Sequence, residues 1–88
     1  MSDRKLQADL ERLRAELKRV AKDDAEARGK LDGIINDLER RLENPEDESL
    51  HRNLLSNIRD TIRQFEAEHP RATAILNDIM VTLSNLGI

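Results

Sequence analysis

The sequence predicts an all-α protein: four helices folded as two helical hairpins in one bundle that associates with further copies of itself. Three observations carry this expectation. Charged residues make up 38% of the 88 residues and aromatics 1%, with Phe65 the only Phe, Tyr or Trp, which is the composition of long helices and leaves few strand formers. Large apolar residues recur three and four apart, the helical period, and do not alternate. Asn44-Pro45 and His69-Pro70 then break the second half where a helix would have to stop.

Leu6, Leu10, Leu13, Leu17 and Val20 lie at spacings of 4, 3, 4 and 3, a heptad seam along a first helix over about 3–21. The seam meets Asp23-Asp24-Ala25-Glu26, where Asp23 and Glu26 have the spacing of a capping box. A second helix is expected over 25–43, with Ala27, Leu31, Ile34, Ile35, Leu38 and Leu42 on its apolar face. The 3/4 register continues through position 24 to Leu38, so one continuous rod competes with a hairpin. An ionised Asp24 in a seam is costly unless paired or exposed, which favours the hairpin.

Asn44-Pro45-Glu46-Asp47-Glu48-Ser49 is the clearest boundary. Proline suits the first helical position, and acids favour a helix N-terminus. The third helix is expected over 46–68, carrying Leu50, Leu54, Leu55, Ile58, Ile62 and Phe65. Pro70 opens a fourth over 70–86, the most apolar of the four, with Ile75, Leu76, Ile79, Met80, Leu83 and Leu86. Gly87 and Ile88 then read as a helix stop, with glycine in the left-handed position and Ile88 folded back on Leu83. The competing reading makes the Leu-Gly-Ile end a recognition tag. The chain is thus read as a single domain, 1–88, of two halves: a leucine-seam hairpin over 1–44 and a second hairpin over 45–88.

Phe65-Glu66-Ala67-Glu68-His69-Pro70 and the ending Leu83-Ser84-Asn85-Leu86-Gly87-Ile88 carry a resemblance. The sequence resembles a proteobacterial family of short helical proteins catalogued only as a domain of unknown function. Its marks are a Phe-Glu-x-x-His-Pro segment and a Gly-Ile C-terminus. The resemblance implies a bacterial protein of the cytoplasm, and it implies no reaction.

The residues themselves point away from catalysis. His51 and His69 are the only histidines and there is no cysteine, and neither histidine sits in a nucleophile motif. Carboxylates fall at helix-surface positions, in pairs such as Glu26 with Lys30 and Asp37 with Arg41. The acidic Asn44–Glu48 stretch lacks the turn glycine and ligand spacing of a calcium loop. No catalytic residue, cofactor or metal ligand is therefore expected. The first residues, Met1-Ser2-Asp3-Arg4-Lys5, run into a charged helix with no signal-peptide core. The apolar stretch Ala72–Ile88 is interrupted by Asn77, Asp78 and Asn85 and is too short and polar to cross a bilayer. The cytoplasm is the expected location.

What remains is association. A chain this small, with no disulfide to staple it, buries too little to be more than marginal alone. The candidate interface is Leu6, Leu10, Leu13 and Leu17 with Ile75, Ile79, Met80 and Leu83, residues that serve equally as core. The fourth helix bears apolar residues on more than one face, so it is either central to the protomer or pairs with a second copy. Phe65, Glu66, His69 and Pro70 form a candidate recognition corner whose plainer reading is a helix–helix turn. Gly29 and Gly33 are either tolerated helix glycines or the site of a close helix crossing. Residues 1–22 carry seven bases against four acids. Nucleic acid, through Arg4, Lys5, Arg12, Arg14, Lys18, Arg19 and Lys22, is the alternative partner, weak because aromatic platforms are absent. Docking of the first helix on an anionic membrane would require its leucines to be free.

Overall fold

A computed structural model describes residues 2–86 as four helices: α1, Ser2–Arg19; α2, Ala25–Glu43; α3, Glu48–Phe65; and α4, Pro70–Leu86. Connections of four or five residues force each helix to run antiparallel to the one before it. Contacts join α1 to α2, α2 to α3, α3 to α4 and α4 back to α1, with none across the diagonals. The result is a square up-down-up-down bundle measuring 36 × 21 × 18 Å, the layout that short loops favour. Gly87 and Ile88, and with them the expected helix stop, lie outside the described residues.

The rod alternative fails at Val20–Asp24. The Val20 N–H is shared between the Glu16 and Leu17 carbonyls, at 3.2 and 3.3 Å, and Asp24 N–H turns back to the Ala21 carbonyl at 3.0 Å. Arg28 from α2 then donates to the Val20 and Leu17 carbonyls at 3.0 and 3.3 Å. A side chain of the second helix thus satisfies the open carbonyls that terminate the first. The cap of α2 is Asp24 and not Asp23: its Oδ1 accepts from Ala27 N–H at 3.2 Å. Because the chain breaks here, Asp24 leaves the seam register, and its side chain is 37% exposed.

The third helix is shorter than expected at both ends. Asp47 N–H bonds the Asn44 carbonyl at 3.1 Å, and the Asp47 carboxylate accepts from Leu50 N–H at 3.0 Å. Pro45 and Glu46 therefore belong to a turn, and Asp47 supplies the cap that proline cannot. At the other end Glu68 and His69 both donate back to the Phe65 carbonyl. That closes the helix at Phe65 and aims the chain at Pro70, whose missing N–H costs nothing at a first helical position. The hydroxyl of Thr73 returns to the His69 carbonyl at 2.9 Å.

One apolar core fills the bundle: Leu6, Leu10, Leu13 and Val20; Ala27, Leu31, Ile34, Ile35 and Leu38; Leu54, Ile58 and Phe65; Ala72, Ile75, Leu76, Ile79 and Leu83. Each helix contributes one stripe. The fourth helix is not central, since it touches two neighbours like the others. Of its other apolar residues, Met80 and Leu86 are half-buried against the core, while Ala74 and Val81 face outward, with Val81 59% exposed.

Candidate functional site

The candidate interface residues divide by burial. Leu6, Leu10, Leu13, Ile75, Ile79 and Leu83 are covered by the chain's own helices, and Leu17 and Met80 are half-buried against the same core. The leucine seams are spent within the protomer. The apolar surface left on the outside of α4 is centred on Val81, which lines a cavity of about 320 Å³ with Lys5, Asp78, Thr82 and Asn85.

Beneath that cavity lies a polar network that periodicity alone does not reveal. Asp9 of α1 is 1% exposed. Its Oδ2 accepts from the Thr82 hydroxyl of α4 at 2.8 Å, and its Oδ1 lies 3.4 Å from both Lys5 Nζ and an Arg12 nitrogen. Arg12 also reaches Asp78 across the seam at 3.0 Å, and that hydrogen bond raises the affinity of its guanidinium for its proton. The clue in the sequence is position: Asp9 stands three residues after Leu6 and one before Leu10, inside the apolar stripe.

A second buried polar pair joins α2 to α3. Arg41 is 4% and His51 3% exposed, and the Arg41 Nε–H donates to His51 Nδ1 at 3.1 Å. Burial pushes the imidazole below its ordinary pKa, and the neighbouring guanidinium charge adds to the effect. The expected Asp37–Arg41 surface pair is replaced by Asp37 with Arg40, 3.7 Å apart, because Arg41 turns inward. Here too the clue is register, Arg41 falling three residues after Leu38 and His51 three before Leu54.

At the opposite end the proposed corner is assembled, but with members the sequence reading did not include. Phe65 is buried, and its ring lies 4.8 Å from that of His69 at 48°. His69 Nε2 reaches Asp24 Oδ2 at 3.2 Å, tying the α3–α4 turn to the α1–α2 turn. Glu66 and Pro70 are exposed. A cavity of about 210 Å³ beside the rings is lined by Asp24, Glu26, Glu68 and Gln64 among others. Among the described residues no three His, Cys, Asp or Glu side chains converge as metal ligands.

Gly29 and Gly33 lie open to solvent, and a methyl group at either would meet nothing within 4 Å. Among the described residues no helix comes within contact of a Cβ at either position. Of the basic residues of the first segment, Lys5, Arg12 and Arg14 are engaged with Asp9, Asp78, Glu11 and Glu39, while Arg4, Lys18 and Arg19 of α1 and Lys22 just beyond it are exposed. No helix among the described residues is long and apolar enough to cross a membrane.

With this geometry in hand, the comparison with known proteins is brief. Residues 6–88 match a family described as a domain of unknown function (DUF4404). The chain belongs to this family. No curated protein and no solved structure matches it. The match takes in both buried polar pairs, the corner and the whole leucine seam, and leaves out only the first residues of α1.

Proposed function

We propose that this protein acts by association and not by catalysis: a helical structural or adaptor module of the cytoplasm whose first partner is a second copy of itself. The observation that carries the reading is Val81, exposed on α4 over the α1–α4 cavity. Lys5 and Asp78 line the same cavity and carry opposite charges. A two-fold interface must be self-complementary, each patch meeting its own copy. Apposing two such faces would pack the two Val81 side chains together, while Lys5 and Asp78 keep Asp9 and Arg12 as their partners within each copy.

A nucleic-acid role has less support. Such binding draws its strength from cations that neutralise phosphates, and three of the seven basic residues of the first segment already hold carboxylates within the bundle. The test is solution mass by light scattering across a dilution series, detected at 214 nm because the chain has no Trp or Tyr. The expected result is a dimer whose melting temperature rises with concentration, and a monomer in the Val81→Glu variant. A monomeric wild-type mass with a concentration-independent melt overturns the reading.

A further inference from the structure

Arg41 and His51 place a permanent cation and a titratable ring together inside the bundle, near its α2–α3 end. A ring nitrogen that accepts a hydrogen bond carries no proton, so the geometry assigns the neutral His51 its proton on Nε2. One terminal nitrogen of the same guanidinium, Nη1, is buried with no hydrogen-bond partner. Such an orphaned charged donor is destabilising, and it leaves Arg41 held inside by its aliphatic stem and by the bond from Nε to His51.

We propose that this pair is an acid-responsive latch. Neutral His51 accepts from Arg41 and keeps the α2–α3 end of the bundle closed. A proton on Nδ1 removes that acceptor and sets two cations about 3 Å apart in the core, so Arg41 leaves for solvent and that end opens.

Among the described residues no carboxylate stands ready to absorb the new charge. On α2, Asp37 is tied to Arg40, and Glu43 is exposed. On α3 itself, Asp47 caps Leu50 N–H, while Glu48 and Arg52 are exposed. On α4, packed against the other side of α3, Arg71 is exposed and lies at the far end, and Asp78 is paired with Arg12; Ile79–Leu86 contain no titratable side chain. α1 packs on α2 and α4; on its first turns Asp3 and Arg4 are exposed, and Asp9 is held by Lys5 and Thr82.

The direction follows from linkage. A folded-state pKa below the ordinary 6.5 means that the closed form binds fewer protons than the opened one. The contribution is complete above about pH 6.5 and is lost as pH falls toward the depressed folded value. Within that window the ratio of opened to closed protein rises about tenfold per pH unit.

The experiment is an NMR titration of the full chain from pH 8 to 5, following the two imidazoles and the backbone amides, with a His69→Gln variant to assign the rings. His51 is expected to titrate below 6.5. Over the same interval amides of Arg41–Leu54 should lose exchange protection, corrected for intrinsic rates, before those of the α1–α4 seam. A His51→Gln variant, which retains an acceptor but does not titrate, should lose the pH dependence. Three results overturn the proposal: titration of His51 at or above 6.5, protection lost equally over Arg41–Leu54 and along the α1–α4 seam, or the same pH response in His51→Gln.

Discussion

The hydroxyl of Thr82 on α4 donates to Oδ2 of Asp9 on α1 at 2.8 Å. It also lies 3.0 Å from the Asp78 carbonyl, and one O–H proton cannot serve both acceptors fully. The ionised carboxylate is the stronger acceptor, so the proton belongs mainly to the link between helices. Asp9 is held at this depth by that hydroxyl on one oxygen and by Lys5 and Arg12 on the other. The first helix is therefore fastened to the last by a charged group, at a point where leucines would otherwise meet.

Removing the acceptor strands its donors. Asp9→Ala should lower stability by about 2–3 kcal/mol, the range for a lost hydrogen bond to a charged group plus a buried donor left unpaired. Thr82→Val should lower it by about 1–2 kcal/mol, and the double variant by less than the two together. Urea midpoints of the four proteins check this; additive losses would mean that the two residues do not act as a pair.

Gly29 and Gly33 offer the opposite change. Since a Cβ meets nothing at either position, alanine gains helix propensity without a clash. Each substitution should raise stability by about 0.5–1 kcal/mol, read as a higher urea midpoint with unchanged slope. A loss would show that another surface uses the bare backbone.

The start of α2 distinguishes two neighbouring aspartates. Asp24→Ala removes the bond to Ala27 N–H and the contact with His69, and should cost about 1–2 kcal/mol. Asp23 is exposed, and Asp23→Ala should stay within about 0.5 kcal/mol of wild type. Equal losses at the two positions would return the cap to an unresolved choice.

The basic face of α1 should bind nucleic acid no more tightly than about 10⁻⁵ M at physiological salt. A fluorescence titration with labelled duplex and single strands measures it. Nanomolar affinity abolished by combining Arg12→Glu with Arg19→Glu would replace self-association as the leading role.

The helices are legible in the sequence because each apolar stripe keeps its period and because Pro45 and Pro70 interrupt the chain in ways no helix interior tolerates. The α1–α2 junction is legible only through Asp24, whose charge in the seam favours a break. Its heptad register runs on through Asp24, and the deciding contact is Arg28 reaching back to the Val20 carbonyl, which no local pattern encodes. The site residues are legible only in part. His69 and Phe65 stand out beside a proline, but the partner of His69, Asp24, comes from 45 residues earlier. Asp9, Arg41 and His51 occupy apolar-stripe positions and read at first as interruptions, because composition and spacing do not tell a buried charge from a surface one.

The square arrangement also orders events in time. Each contact between consecutive helices spans a short stretch of chain, whereas the α1–α4 seam joins Asp9 to Thr82, 73 positions away. Chains rich in local contacts fold in microseconds to milliseconds, and the three hairpin turns make this one of them. The α1–α4 closure must bring together the two ends of the chain, so it bears the largest loop entropy and comes last. Substitutions at Asp9 or Thr82 should then leave the refolding rate nearly untouched and accelerate unfolding. With the Arg41–His51 bond intact, at neutral pH, the edge that opens first on unfolding is the same edge that displays Val81. A second copy bound there would slow the escape of the folded state, and the lifetime of the protomer would be set by its neighbour.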